Sequence, residues 1–218
     1  VITGTSKENN VTINAEKDQT ANVTLSGVNI DVRDKGKAAV STTGEGNVSI
    51  ELNGESTLRG GYEHAGLEKN NGGSLTIADE DKNGKLTAWG GQQGAGIGGG
   101  VDGKGEGITV SGNAQLKVRG GSVHGDYGTG AGIGGGGSYG TDGAEVEPDI
   151  CALKPGGKIE YYEPGSGMTG TPSKTITNPT GDYVWDSGTV TTPATCTGKG
   201  VRTYTCTSSS HTKTEDIP

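Results

Sequence analysis

Apolar and polar side chains alternate along short stretches of this chain, and these stretches recur in a fixed order. Alternation with a period of two is typical of a β-strand that buries one face. From Asn22 onward each repeat has three such stretches, and none has the spacing of an amphipathic helix. The first set is residues 23–25, 48–50, 75–77 and 108–110; the second is 30–33, 56–59, 86–89 and 116–119; the third is 38–40, 65–67, 95–97 and 131–133.

Three strands per repeat in a constant order predict an all-β chain that forms a parallel β-helix, with about four to five coils. Equivalent residues of successive coils would then stack roughly 4.8 Å apart. A β-sandwich is the alternative, although it would need longer strands and bulkier residues. The predicted inward columns are Val23/Ile50, Val32/Leu58/Ala88/Val118 and Val40/Leu67/Ile97/Ile133, with Ala38/Ala65/Ala95/Ala131 at a tight corner.

The heptapeptide GAGIGGG occurs twice, at residues 94–100 and 130–136. It lacks the Lys-Ser/Thr ending and the following helix of a phosphate-binding loop, and it lacks the βαβ setting of a dinucleotide site. Glycine permits close approach between backbones and positive φ angles. We therefore interpret this motif as a packing element of the coil.

Composition favours a slim fold over a thick globular core. Only 28% of the residues are hydrophobic, Phe is absent, and 44 of 218 residues are Gly. The net charge of −8 disfavours nucleic acid as a partner, because duplex binding depends on neutralising phosphates with Lys and Arg. No apolar run is long enough to predict a membrane span. Val1 falls inside the strand pattern and no signal peptide is recognisable, so we expect a mature or trimmed chain.

The amino-acid composition of the chain changes near residue 148, and the prolines are concentrated from there onward. We therefore divide the chain into a β-helix over 1–147 and, over 148–218, a transition segment followed by a small β module. Strand-like runs at 158–162, 183–185, 188–190 and 201–206 indicate the elements of this second part. Of the three cysteines, Cys196 and Cys206 flank a turn and are predicted to form a hairpin disulfide. One disulfide plus a leftover thiol is the simplest interpretation, and the sequence leaves the state of Cys151 open.

Several phrases of the sequence resemble a known class of proteins. The phrases NVTLSGVNIDV, HAGLEKNNGGSLTI and the two GAGIGGG copies, the first followed by ITVSG, resemble large cell-surface proteins of Gram-positive gut bacteria. They are also similar to carbohydrate-binding domain-containing proteins that form right-handed parallel β-helices. The resemblance covers residues 22–140. It implies a right-handed coil, a secreted or wall-attached protein, and binding of polysaccharide or host matrix, in some cases with calcium.

One outward row of side chains is a candidate ligand-binding strip. If the coils stack in register, Arg33, Arg59, Trp89 and Arg119 lie one step beyond an inward column. Guanidinium groups can stack on an indole, and they can also hold a carboxylate through two hydrogen bonds. The strip would then bind a sugar ring and the acid group of an anionic sugar. The alternative is a solvated row that only offsets nearby acids.

A second candidate is a calcium loop at residues 79–84. Asp79, Asp81 and Asn83 followed by Gly84 match the D-x-D-x-N-G opening of such a loop, in which hard oxygen ligands alternate. The twelfth position is Gly90, where a bidentate Glu is expected. Strings of Asp, Asn and Gly are also ordinary turn formers, so the alternative is a turn without a metal.

These observations predict a non-catalytic extracellular surface protein, carbohydrate-binding or adhesin-like, that acts as a monomer on a polysaccharide or a host or cell-wall glycan. No outward row carries acids on consecutive coils, whereas glycosidases need two facing carboxylates. Parallel β-helices nevertheless host many functions. A calcium-assisted polysaccharide lyase and a purely structural spacer therefore remain the alternatives.

Overall fold

In a computed structural model, the chain is all-β and is described over residues 1–178, 185–195, 198–206 and 212–217. No helix in these ranges is long and apolar enough to cross a bilayer. The strands are β1 (Ile2–Ser6), β2 (Val11–Ala15), β3 (Thr20–Asp31), β4 (Val40–Gly44), β5 (Asn47–Asn53), β6 (Glu55–Arg59), β7 (Leu67–Lys69), β8 (Leu75–Asp79), β9 (Lys85–Trp89), β10 (Ile97–Gly98), β11 (Ile108–Gly112), β12 (Gln115–Arg119), β13 (Ile133–Gly134), β14 (Lys158–Tyr162), β15 (Lys174–Thr177), β16 (Thr189–Thr192), β17 (Gly200–Thr205) and β18 (Thr212–Ile217).

The strands wind into a parallel β-solenoid of about four turns, which confirms the predicted fold. A turn consists of three strands, as in β4–β5–β6, β7–β8–β9 and β10–β11–β12, while the long β3 serves two faces of the first turn. One sheet runs in the order β13-β10-β7-β4-β2, and the strands of the other two faces join into a ten-stranded sheet. Each strand therefore pairs with its equivalents in the turns before and after it.

A narrow column of branched side chains fills the interior. Val40 pairs with Leu67, Leu67 with Ile97 and Ile97 with Ile133, which confirms this predicted column. All four side chains have zero exposed surface. The corner alanines are buried as well, and the glycines before them leave no room for a side chain: a Cβ on Gly90 would meet the backbone oxygens of Gly94 and Ala95. Small residues are therefore required where the chain turns tightly.

The second predicted column is displaced in the first turn. Leu58 pairs with Ile30 and not with Val32, and Arg59 pairs with Asp31. The placement of Arg33 in register with Arg59 is therefore wrong. Gly27 and Gly54 bend the chain at the same point with positive φ, but the second turn then inserts one extra residue before pairing resumes. Relative to the predicted pairing of Val32 with Leu58, the observed register is shifted by two residues. A shift of two leaves the same side chains facing inward, so the alternation of the sequence does not reveal it.

The solenoid continues past the predicted boundary near residue 148. β14 stacks on β12 in parallel, and Asp149 and Leu153 form bridges to β11, which adds an irregular turn. β15 then covers β14 in the antiparallel direction. At the edge of β13, the Glu145 carboxylate accepts a hydrogen bond from the Gly132 N–H at 2.6 Å, and the Val146 N–H donates to the Ile133 carbonyl. Glu145 and its neighbours thus cover the edge of β13.

The last strands form a separate antiparallel sheet, β16-β17-β18, as predicted for the end of the chain. Of the run predicted at 183–185, residues 183 and 184 lie outside the described ranges. Cys206 at the end of β17 is bonded to Cys151, with the two Cα atoms 6.4 Å apart. The predicted Cys196–Cys206 hairpin disulfide is therefore wrong, and Cys196 itself lies outside the described residues. Cys151 reaches Cys206 because its segment is stacked on β11, where it is buried.

Candidate functional site

The strongest site candidate is an outward row at the ends of five stacked strands. Asp31, Arg59, Trp89, Arg119 and Tyr162 pair in register from one turn to the next. Three of the four residues of the predicted strip are therefore neighbours. Arg33, the fourth, lies two residues beyond Asp31 along the chain and is exposed; its Nε donates to the Asp31 carboxylate at 2.8 Å. It thus joins the site through an ion pair.

The Trp89 indole is sandwiched between two guanidinium groups. The Arg59 Cζ atom lies 3.8 Å from the ring centroid, and the Arg119 Cζ atom lies 4.9 Å from it. Parallel pairing at the strand spacing brings these side chains together without any contribution from loops. Each stacked pair stabilises the arrangement by roughly 0.5–1 kcal/mol.

Arg119 is the most firmly held of the three arginines. Its Nη1 donates to the Ser166 carbonyl at 2.9 Å and its Nη2 donates to the Gly90 carbonyl at 3.4 Å. Its buried Nε–H and the buried Nε1–H of Trp89 have no acceptor within the described part of the chain. Unmatched buried donors cost about 1–3 kcal/mol each. The row is therefore not arranged for maximum stability.

The charges of the row are not balanced. Within the described ranges neither Arg59 nor Arg119 forms an ion pair, whereas Arg33 is paired with Asp31. Burial lowers the pKa of Arg119, and the positive charges of Arg59 and Arg33 lower it further. Burial likewise lowers the pKa of Arg59, followed by repulsion from Arg33, and the attraction of Asp31 does not offset this. An anion placed between these groups would relieve the repulsion.

A cleft of about 370 Å³ lies over this row. Besides the three arginines and Trp89, its lining includes Tyr62, Gln92 and Ser122, which the sequence-based site did not include. These three residues could have been found from the repeat, because each follows a Gly-Gly pair directly after the row: 59–62, 89–92 and 119–122 have the same layout. The paired glycines at each corner place the residue that follows them at the rim of the cleft.

A second groove, of about 300 Å³, lies on the same face beside the row. Its charged side chains are paired with one another: Lys85 contacts Glu55 at 2.8 Å, and Lys158 contacts Glu160 at 2.8 Å. Exposed pairs of this kind contribute about 0–1 kcal/mol each. The third lysine of the groove, Lys117, shares Glu160 with Lys158 at 3.8 Å. Each lysine of this groove therefore has a carboxylate partner, whereas Arg59 and Arg119 have none among the described residues.

The predicted calcium residues occupy a turn beside an acidic cluster. Asp79 and Asp81 group with Glu51, and the ligand atoms of the three lie within 4.8 Å of one another. Asp79 is only 1% exposed, and its carboxylate accepts the N–H groups of Gly84 at 3.0 Å and Asn83 at 3.3 Å. The contacts of Asp79 are therefore those of the turn alternative. Three carboxylates also supply about half of the six to eight oxygen ligands of Ca²⁺, so calcium remains a prediction.

Asn83, the third predicted calcium ligand, directs its side chain to the neighbouring turn. Its Oδ1 accepts the Gly54 N–H at 3.3 Å. Glu51 was missed because it lies on β5, on the preceding turn, and its Oε1 accepts the Glu80 N–H at 2.8 Å. Only the stacking of β5 on β8 brings Glu51 beside Asp79. Separation along the chain gives no hint of that contact.

Comparisons with protein-family models, with curated proteins and with solved structures found no match.

Proposed function

We propose that this chain is a non-catalytic extracellular surface protein whose β-solenoid binds acidic polysaccharide at the Arg59–Trp89–Arg119 row. The single observation that carries the proposal is that two unpaired guanidinium groups flank an indole ring in an open cleft. Because Arg59 and Arg119 cover the two faces of the indole, the ring holds both guanidinium groups in position, and guanidinium groups bind carboxylates through two parallel hydrogen bonds. A sugar with a carboxylate, such as a uronate, meets this requirement.

The overall charge of the protein supports a specific site. A chain with a net charge of −8 repels polyanions in general, so binding of one would require a local patch of positive charge. The row provides such a patch, and Ser166 holds one of its arginines in position before any ligand arrives. Preorganisation reduces the cost of ordering side chains on binding. The resemblance of residues 22–140 to surface proteins agrees with this proposal and with an extracellular location.

The experiment is affinity chromatography and calorimetry with polygalacturonate and alginate, compared with a neutral galactan. We expect the acidic polymers to bind and the galactan not to bind. Arg119→Ala and Trp89→Ala should each lower the affinity for the acidic polymers by about tenfold or more. The first removes a charge-assisted contact of roughly 1.5 kcal/mol, and the second removes the ring that holds both guanidinium groups in place. The control Lys199→Ala removes one positive charge from the C-terminal sheet and should change nothing.

Equal binding by wild type and both row variants would refute the row as the site. Absence of retention on every glycan would instead favour the structural-spacer alternative. The comparison of the variants requires that they unfold at the same temperature as wild type, which a thermal melt checks.

A calcium-assisted polysaccharide lyase is the second candidate, and one observation favours it. The Tyr62 hydroxyl lies 3.3 Å from His124 Nδ1 at the rim of the cleft, so a proton-transfer pair stands beside groups able to neutralise a carboxylate. In β-elimination a base removes the ring proton beside the carboxylate, a carbon–carbon double bond forms in the ring, and the bond to the glycosidic oxygen breaks. The leaving oxygen takes a proton and becomes a hydroxyl, so no water is consumed. Incubation with polygalacturonate and calcium should then produce ultraviolet absorbance from the unsaturated product, whereas the non-catalytic proposal expects none.

A further inference from the structure

The cleft continues into a ridge of exposed aromatic side chains on the neighbouring loops. Tyr62 is 41% exposed, Tyr127 is 37% exposed and Tyr139 is 70% exposed. The chain has only nine aromatic residues, two Trp and seven Tyr with no Phe, and these three together with Trp89 account for four of them. Exposed aromatic rings are rare on a surface made largely of Gly, Ser and Thr, so their concentration in one place needs an explanation.

The ridge is continuous with the cleft. Tyr62 lines the cleft, and its ring packs edge-on against the His124 ring with centroids 5.3 Å apart. His124 and Tyr127 are joined by an antiparallel bridge, and the Tyr127 ring packs edge-on against the Tyr139 ring at 5.8 Å. The two ring pairs are thus linked through the backbone bridge between His124 and Tyr127, and Tyr62 connects them to the cleft that Trp89 also lines. A ligand that occupies the cleft would extend directly onto them.

Backbone contacts hold the ridge in place. The Gln93 N–H donates to the Ser122 carbonyl at 3.1 Å, and the Gly128 N–H donates to the Ser138 carbonyl at 3.0 Å. The Asp142 carboxylate accepts both the N–H of Thr129, at 2.7 Å, and its hydroxyl, at 2.9 Å. These bonds fix the loop that follows Ser122 to the loop that carries Tyr139. The rings are therefore presented on an ordered scaffold, which lowers the cost of binding.

The insertion that carries His124 and Tyr127 has no equivalent in the earlier turns. Between the Gly-Gly pair and the alanine of the third strand, the turn that begins at Gly120 has nine residues, 122–130, whereas the preceding turn has three, 92–94. Core packing does not require these additional residues, because Ala131 and Ile133 stack on Ala95 and Ile97 as in the shorter turns. Insertions in solenoids commonly form the binding face.

We propose that this ridge is the second half of the glycan site, so that the ligand is an acidic oligosaccharide chain and not a single sugar. One uronate unit lies at the Arg59–Trp89–Arg119 row, and the neighbouring units stack on Tyr62, Tyr127 and Tyr139. Sugar faces and aromatic rings are complementary in shape, and the tyrosine hydroxyls can hydrogen-bond to the ring substituents. This inference rests on the proposed function and specifies its substrate class.

The test compares galacturonate monosaccharide with galacturonate hexasaccharide by calorimetry. Wild type should bind the hexasaccharide at least about tenfold more tightly than the monosaccharide, since each stacked ring contributes roughly 0.5–1.5 kcal/mol. The Tyr127→Ala, Tyr139→Ala double variant should lose about tenfold in hexasaccharide affinity and nothing in monosaccharide affinity. Tyr139→Phe retains the ring and should bind as wild type does. Because both rings are exposed, folding of the variants is expected to be intact, and a thermal melt verifies it.

The outcomes separate this inference from the proposal beneath it. If hexasaccharide binding depends on Arg119 but is unaffected in the double tyrosine variant, the ridge is overturned and the acidic-glycan site stands. The ridge is likewise overturned if the monosaccharide binds wild type as tightly as the hexasaccharide does. If neither ligand binds wild type and no acidic polymer is retained, the proposed function fails and the ridge fails with it.

Discussion

The guanidinium carbon of Arg59 lies 3.8 Å from the centroid of the Trp89 ring, across two neighbouring turns of the solenoid. Stacking uses the flat face of the guanidinium and leaves the N–H groups at its edge available. Among the described residues no carboxylate is ion-paired with Arg59. The side chain is therefore held in position while its hydrogen-bond donors remain free for a ligand.

Binding at this row should depend strongly on salt. Partly exposed positive charges attract an acidic glycan less as ionic strength rises, because the screening length falls from about 10 Å at 0.1 M to about 3 Å at 1 M. We expect the affinity for polygalacturonate to fall by about tenfold or more over that range, measured by calorimetry. In Arg119→Ala the salt dependence should be weaker. Affinity that is constant across the range would contradict an electrostatic site.

The tight corners should not tolerate a side chain. An alanine Cβ at Gly91 would overlap the Gly61 carbonyl of the previous turn, and Gly91 does not have a positive φ, so the overlap is the only obstacle. Gly91→Ala should lower the free energy of unfolding by about 2–3 kcal/mol, as overpacked cores do. The matched control is Gly36→Ala, whose Cβ meets nothing within 4 Å and should change stability by less than about 0.5 kcal/mol. Urea denaturation measures both, and equal stabilities would contradict the predicted overlap.

The His64–Glu68 pair should make stability depend on pH. Its Nδ1 to Oε2 distance is 2.8 Å. The hydrogen bond to Glu68 raises the pKa of His64 against the effect of burial. Burial opposes ionisation of Glu68, but the hydrogen bonds from His64, Asn70 and Ala65 outweigh it and lower that pKa. The His64 contribution is complete below its ordinary value of 6.5 and is lost as pH rises through the raised pKa. The Glu68 contribution is complete above 4.5 and is lost as pH falls through the lowered pKa.

The stabilisation by this pair is therefore largest between pH 4.5 and 6.5. Because the imidazole is 36% exposed, solvent screening limits the effect to about 0.5–1 kcal/mol. His64→Ala should be less stable than wild type by that amount at pH 5.5 and nearly equal to it at pH 9, as measured by urea denaturation. In a Glu68→Gln background the difference should be small at both values. A difference that increases with pH would contradict the pairing.

The disulfide between Cys151 and Cys206 should tie the C-terminal sheet to the end of the solenoid. The two residues are 55 positions apart, and closure of a loop of this length stabilises the folded chain by about 4 kcal/mol in the chain-entropy description. Under non-reducing digestion, mass spectrometry should find a peptide pair that joins residues 151 and 206. Reduction should then lower the urea midpoint of the C-terminal part. A cross-linked pair that contains residues 196 and 206 would refute this connectivity.

The inward column of the fold was predictable because alternation along the chain directly reports which side chains are buried. Val40, Leu67, Ile97 and Ile133 stack as their positions in the repeat indicate. Alternation does not determine which residues pair across neighbouring strands, since a slip of two residues preserves it. Alignment of Val32 with Leu58 predicted Arg33 opposite Arg59, but Ile30 pairs with Leu58 and Asp31 with Arg59, two residues earlier in the chain.

The rest of the site depends on contacts between distant parts of the chain. Ser166 reaches Arg119 from beyond β14, 47 residues away, and no local pattern marks it. Cys151 pairs with Cys206 for a similar reason: short separation favoured the hairpin, whereas stacking of the segment around Cys151 on β11 decided the partner. By contrast, Tyr62 lies at a repeated corner position, and comparison of the turns would have revealed it.

Residues 144–146 run antiparallel across the edge of β13 and prevent further strands from adding to that edge. An uncovered parallel rung offers its row of amides to any other chain, which is how stacked-strand fibrils elongate. Here the Glu145 carboxylate occupies the Gly132 amide, and Ala144 and Val146 satisfy the backbone beside it. A second molecule therefore cannot extend the sheet by pairing with β13. The solenoid shares its repeating strand geometry with a fibril, but at this face its length is fixed.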